Sequence, residues 1–245
     1  MNELVKSAVK NFWTVRNGGS GVLGGKTLDG FIALISQVVE SSNLENFQIH
    51  TGKNTSQLPG YFRPHKSWDI VVTSNGYLVA AVELKSQVGS IGNNFNNRTE
   101  EVLGSGLDLS TAIEENAFLP SIRPFMGYLI LVEDSETTRR SAQINMDNFP
   151  VMQGFLADEN SRDTNYQPVN GKYPRVAGVS YLERYEILCR KLMAKRIYDA
   201  ASVMVASSEN SDTGDYRNLS ASTSVDAFIQ QLINHCNLFE DFGSC

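Results

Sequence analysis

Cysteine is scarce in this chain: three in 245 residues, Cys189, Cys236 and Cys245. They are too few and too scattered for a disulfide framework, and none sits in the CxxC or Cys/His spacing of a zinc site. That usage suits a reducing compartment. Long apolar runs are missing as well, so no stretch reaches the length that spans a bilayer, and the opening MNELVKSAVKNFW lacks the apolar core of a secretory signal. The expectation is a soluble cytoplasmic protein with no membrane partner. Surplus positive charge is the third absence. The net charge of −6 runs against a nucleic-acid partner, because phosphate binding draws its affinity from Lys and Arg. Its distribution weakens that objection: from residue 199 to 245 seven acids face one base, Arg217, so residues 1–198 sum to zero.

What is present can build a core. With 41% hydrophobic and 9% aromatic residues, the chain suits one large domain with appended elements, and it shows no internal repeat. After a Gly-rich loop at 17–25, Phe31, Ile32, Leu34, Ile35, Val38 and Val39 recur at helical spacing, with Thr27 as the expected N-cap. A short strand is expected at 47–50, followed by the turn-rich TGKNTSQLPG. Next comes a ribbon, 69–73 and 77–86, joined by Ser74-Asn75-Gly76, since Asn-Gly between apolar runs is a strong hairpin signal. A helix from Thr99 to about Phe118 and a buried strand FMGYLILV at 125–132 complete the order helix, strand, strand, strand, helix, strand. A capping box, Ser180 to Glu183, begins a helix that could reach Ala206, and residues 181–198 hold five bases against two acids. Residues 210–223 read as a linker and 224–239 as a last amphipathic helix.

The ribbon, WDIVVTSNGYLVAAVELK, sets Asp69, Glu83 and Lys85 among core-type residues, where an unpaired charge is expensive. Glu83 and Lys85, two apart on a strand, share a face. Two carboxylates and a main-chain carbonyl form an all-oxygen partial shell suited to Mg²⁺, with Lys85 placed beside an attacking water or a phosphate. A strict two-residue turn would set Asp69 opposite Val82, on the wrong face. The metal reading therefore requires an odd offset, from a three-residue loop or a one-residue bulge. The competing reading makes Asp69 a solvent-exposed strand start and pairs Glu83 with Lys85.

Two other stretches carry chemistry. SGVLGGKT, Ser20 to Thr27, is a near miss for the phosphate-binding loop GxxxxGK[ST]. It lacks the first Gly and a feeding strand, so a phosphotransferase reading is the weaker one. GNNFNNR, read as a loop leaving the ExK strand, offers Asn93, Asn94, Asn96, Asn97 and Arg98, side-chain types that read base edges. Gln87 follows on the same strand, and Arg63, His65 and Lys66, leading into Asp69, could clamp phosphates. A turn whose Asn side chains cap local backbone is the alternative for the first group. His50 and His235 are read as structural.

Together SGVLGGKTLDGF, LPGYFRPHKSWD, LVAAVELKS, GNNFNNR, LILVED and YLERYEILCR resemble the Xho I type of type II restriction endonuclease, within the PD-(D/E)xK nuclease superfamily. The likeness runs from about Ser20 to Ala206 and is most specific from Leu58 to Arg98. Trp68 stands where the superfamily pattern has Pro. The resemblance implies an α/β fold with an αβββαβ core, a mixed central sheet flanked by helices, and C-terminal helical additions. One nuclease domain over 1–245 is expected, with the catalytic core at about 27–133 and a helical extension at about 180–245. The resemblance also implies Asp69, Glu83 and Lys85 as catalytic residues, Asp69 and Glu83 as Mg²⁺ ligands, and Asp29 or Glu40 as a further acid from the first core helix. The partner implied is double-stranded DNA, cut by a bacterial homodimer at the palindrome CTCGAG, which a separate methyltransferase protects. A sequence-independent repair or structure-specific nuclease, or a non-catalytic DNA-binding module, are the alternatives.

Overall fold

Asn75 and Gly76 take φ of 52° and 86° in the computed structural model, the left-handed pair that a two-residue hairpin turn requires. The turn joins Ile70–Ser74 to Tyr77–Gln87, with Ser74 facing Tyr77. Further along, Val72 pairs with Ala80 whereas Thr73 pairs with Leu78, so Val79 is an extra, unpaired residue. This one-residue bulge reverses the alternation of the second strand. Tyr77 and Val79 face one core and Leu78 the other; beyond the bulge, Ala80, Val82 and Leu84 face the first core and Ala81 the second. The Val79 carbonyl is not left orphaned, because the His235 Nε2 lies 3.1 Å from it.

The structure describes residues 1–18, 26–118, 122–152, 154–157 and 166–242. In chain order the elements are α1 (Asn2–Asn17), α2 (Asp29–Glu40), β1 (Phe47–His50), β2 (Gln57–Leu58), β3 (Lys66–Ser67), β4 (Ile70–Ser74), β5 (Tyr77–Gln87) and α3 (Ile91–Glu114). There follow β6 (Phe125–Glu133), α4 (Glu136–Arg139), β7 (Ser141–Ile144), β8 (Val176–Ser180), α5 (Tyr181–Ala194), β9 (Ala200–Ala206), β10 (Arg217–Asn218) and α6 (Val225–Phe242). The central sheet runs β1-β4-β5-β6-β9-β10. Its first three strands are an antiparallel meander, β5, β6 and β9 are parallel, and β10 is antiparallel to β9. Helices α1, α2 and α6 bury one face, with Phe12, Trp13, Phe31, Ile35 and Phe228 against Ile70, Val82 and Leu129. Helices α3 and α5 bury the other, with Val102, Leu109, Tyr185 and Leu192 against Tyr128, Ile130 and Val203. A parallel β5-β6-β9 centre needs cover on both faces, and the apolar run of β6 reflects that. No described helix is long and apolar enough to cross a membrane.

Several boundaries differ from the sequence reading. Helix α1, unassigned there, packs Val5, Val9, Phe12 and Trp13 into the core. Thr27 does not cap α2; the cap position is Leu28, with no side-chain bond, and Thr27 lies in a short 3₁₀ turn. Helix α3 begins at Ile91, eight residues before Thr99, because Gly89 and Ser90 both take positive φ, 64° and 43°, and turn the chain back at the end of β5. It ends at Glu114, where Asn116 at φ 61° closes a C-terminal motif usually built on Gly. The capping box at Ser180 is formed, but its helix stops at Ala194. Arg196 at φ 54° ends it, the Ile197 N–H returns to the Leu192 carbonyl, and AASVMVA becomes the inner strand β9. The C-terminal part is therefore helix and strand rather than helix alone, and the expected linker contains β10.

Candidate active site

The bulge decides which face carries charge. Continuing the β4–β5 register one step past Ile70 and Val82 sets Asp69 opposite Glu83, on the face shared by Val71, Ala81 and α3. Without the offset, Glu83 and Lys85 would enter the apolar core of α1, α2 and α6, where neither has a partner. As placed, Glu83 is 6% exposed and shared by two ammonium groups. Its Oε1 accepts from Lys85 Nζ, and its Oε2 accepts from Lys66 Nζ at 2.5 Å. The Lys66 ammonium also lies 4.4 Å from the ring centre of the buried Trp68, a cation–π contact that holds it over the site. That gives Trp68 a use at the position before Asp69. The Asp69 Oδ2 accepts from the Leu84 N–H at 2.7 Å, tying it to the strand that carries Glu83 and Lys85. Burial pushes the Asp69 carboxyl above its ordinary range, and the Glu83 charge adds to this, against the opposing pull of Lys85, the Leu84 N–H and Lys66.

Glu83, Lys66 and Lys85 open into a cleft of about 470 Å³ that is also lined by Arg63, Arg98, Glu100, Glu101, Gly104 and Ser105. The walls are the β3 approach, β5 and the cleft side of α3. Arg98 pairs with Glu101 at 2.5 Å, and its Nε is buried without a hydrogen-bond partner. The donor set suits a hard divalent cation: all oxygen, from two carboxylates on adjacent strands beside the Leu84 carbonyl. The unfavourable pressure between Asp69 and Glu83 is what such a cation relieves. Among the described residues no group of three His, Cys, Asp or Glu gathers here, so an ion would keep water in its remaining positions, as Mg²⁺ does.

The cleft thus brings together Arg63, Lys66, Glu83, Lys85 and Arg98, with Asp69 tied behind them to the Leu84 N–H. GNNFNNR is not a loop; it forms the first two turns of α3, with Asn93, Asn96 and Asn97 exposed on one side and Asn94 half-buried. His65 is exposed in the preceding loop, off the cleft wall. Gln87 is buried, and its amide donates to the Gly89 carbonyl at 2.6 Å, holding the turn into α3. Asp29 and Glu40 are exposed at opposite ends of α2, which packs on the other face of the sheet. Of SGVLGGKT, Ser20 to Gly25 lie outside the described residues.

One important residue was missed. Asp108 of α3 is buried and gathers the loop beneath Arg63: its Oδ2 accepts from the Arg63 Nε at 2.6 Å and its Oδ1 from the Phe62 N–H at 2.8 Å. Gly60 is required there, since a Cβ would strike the Asp108 carboxylate. The signal was an acid next to Leu109 in the buried phase of α3, legible only once the helix frame is known.

A mixed α/β fold with two facing carboxylates beside a cleft lined by four cations and three acids has the makings of a metal-assisted hydrolase, and comparison with known proteins gives the family. A family model described as Restriction endonuclease XhoI matches residues 13–166 and 157–218, and the chain belongs to that family. The type II restriction enzyme XhoI of Xanthomonas vasicola is 42% identical over 209 residues, 79% of this chain and 76% of the relative. The type II restriction enzyme BstVI of Geobacillus stearothermophilus is 33% identical over 220 residues, 87% and 88% of the two chains. The type II restriction enzyme AbrI of Azospirillum brasilense is 52% identical over 119 residues, 48% and 54%. No solved structure matches.

Proposed function

We propose that this restriction endonuclease hydrolyses both strands of double-stranded DNA at the palindrome CTCGAG, with Mg²⁺, through a PD-(D/E)xK site formed by Asp69, Glu83 and Lys85. The observation that carries the reading is the Val79 bulge, which sets Asp69 opposite Glu83 and turns Glu83 and Lys85 to a cleft that Arg63, Lys66 and Arg98 also line. Asp69, Glu83 and the Leu84 carbonyl would hold the ion, which when bound would supply positive charge at the cleaved phosphate and lower the pKa of water.

The chain's own residues do the rest. Glu83 accepts from both ammonium groups, and a DNA phosphate in the cleft offers either lysine a competing partner. Lys85, on the same strand and face, turns its donors to the attacking water and holds it in line with the leaving 3′ oxygen. Lys66 moves to a non-bridging phosphate oxygen. Arg98, on the opposite wall, presents a planar guanidinium whose fork matches phosphate geometry. Arg63 and His65 bind flanking phosphates. The exposed row Asn93, Asn96 and Asn97 at the start of α3 is placed to read base edges, as the N-terminal residues of a groove-entering helix do. A palindrome suits a two-fold homodimer in which each subunit reads one half-site. In the bacterial cytoplasm a methyltransferase acting on the same site protects host DNA.

Plasmid digestion tests this. Purified protein with Mg²⁺ is expected to give discrete ends at CTCGAG, with 3′-hydroxyl and 5′-phosphate termini, and none in EDTA. Cleavage that ignores sequence would make it a repair-type nuclease, and tight binding without cutting in Mg²⁺ would make it a binding module.

A further inference from the structure

Tyr61 and Phe62 are 53% and 69% exposed, side by side in a segment whose neighbours are pinned. Their rings pack edge to face, with centroids 4.9 Å apart, so they form one unit. Beneath them Asp108 accepts from the Phe62 N–H and from the Arg63 guanidinium, and Pro59 and Pro64 bound the segment. A loop fixed from below while holding two large apolar rings in water is preorganised to present them. Their location says to what. Arg63, the next residue, and Lys66 line the cleft with Glu83 and Lys85, so the aromatic pair immediately precedes a cation of the cleft wall.

Resting on the DNA-cleaving reading above, we propose that the Tyr61–Phe62 tip is an aromatic DNA-contacting element, packing its rings on the sugar and base faces of nucleotides beside the cleaved phosphate. A nucleic-acid duplex fits this mixed surface better than a protein does. The cations alongside take the phosphates and the rings take the apolar faces between them, the pairing of charge and stacking by which proteins hold unstacked or groove-exposed bases. The Lys66–Trp68 contact holds one of those cations in place.

The test is DNA affinity as a function of salt, measured with a fluorescent CTCGAG duplex in Ca²⁺, alongside cleavage in Mg²⁺. Stacking contacts release no counterions, whereas phosphate contacts do. Phe62→Ala and Tyr61→Ala are each expected to weaken binding about ten- to a hundredfold with the slope of log affinity against log salt unchanged. Phe62→Trp is expected to retain binding. Arg63→Ala, by contrast, should reduce the slope by about one ion. Because both rings are exposed, the thermal midpoint of the variants should match that of the wild type. Unchanged affinity in both alanine variants would overturn the proposal, as would a changed salt slope. A shift in oligomeric state with DNA affinity intact would also overturn it, assigning the rings to a second copy of the chain. Wild-type cleavage is the internal control: if wild type fails to cut CTCGAG, the reading beneath the proposal fails, whereas wild-type cutting with indifferent variants sinks the proposal alone.

Discussion

Glu83 is the residue on which the charges of the cleft converge, and Asp108 is the one that keeps the cleft's rim in place. A carboxylate that accepts from a main-chain N–H and a guanidinium while 3% exposed is held by those donors rather than by solvent. Burial alone would raise the Asp108 carboxyl, but the Arg63 bond, the Phe62 N–H and the Arg63 charge outweigh it and leave the group below its ordinary range. Its folded value being depressed, its contribution to stability is complete above the unfolded value near 3.8 and is lost as pH falls through the folded one. Asp108→Asn presents an amide where two donors converge. It is expected to cost about 1–3 kcal/mol in denaturant unfolding at neutral pH and to lower cleavage, since Arg63 and the aromatic tip lose their anchor. A neutral-pH stability equal to wild type would show that Asp108 does not hold the loop.

At the scale of elements, the β4–β5 hairpin does the positioning, and its bulge depends on another part of the chain. The His235 ring of α6 reaches the Val79 carbonyl and lies against Phe125 and Phe239, with Asp199 and Arg123 as the nearby charges. Burial lowers the His235 pKa below 6.5, and Arg123 adds to this, against the raising effects of Asp199 and the Val79 bond. The imidazole is thus neutral when folded, while an unfolded chain takes up a proton near 6.5. Stability is therefore flat above that pH and declines below it, toward the folded value, by up to about 1.4 kcal/mol per pH unit. His235→Gln keeps a donor for the bulge but cannot titrate. Thermal unfolding from pH 8 to 5 is expected to show a shallower acid decline in this variant, and an unchanged profile would remove His235 from the bulge.

The hairpin also shows how far sequence reasoning reached. Asn-Gly announced the turn, and the metal reading of Asp69, Glu83 and Lys85 required an offset, because only then do the two carboxylates share a face. The residue that provides the offset, Val79, has no signal of its own in a run of Leu, Val and Ala. Helix α3 was cut short because Asn and Gly are poor helix formers, yet Phe95 packs on Tyr181 and Tyr185 and tertiary burial overrides propensity. The stop of α5 at Arg196 was hidden because a left-handed C-terminal residue is usually Gly. His235 looked idle because its partner is a carbonyl 156 residues away.

Across the whole molecule, the balance of charge becomes intelligible. The −6 lies in the chain after residue 198, and two of its seven acids are paired with earlier bases: Asp199 takes Arg123 and the Met126 N–H, and Asp215 takes Lys6. The cleft, on the opposite side of the sheet from α1, α2 and α6, keeps Arg63, Lys66, Lys85 and Arg98 in one place. Net charge therefore says little about DNA here, and local charge says more. The proposed function makes binding and cutting separable in this cleft, the cations and α3 serving the first and the Asp69–Glu83 pair the second. The most direct test is Glu83→Gln on a short CTCGAG duplex, with affinity measured in Ca²⁺ and single-turnover cleavage in Mg²⁺. The expected result is DNA affinity within about tenfold of wild type and cleavage slowed by at least about a thousandfold. Cleavage at near wild-type rate would contradict the assignment of Glu83 and, with it, the account of why the bulge is there.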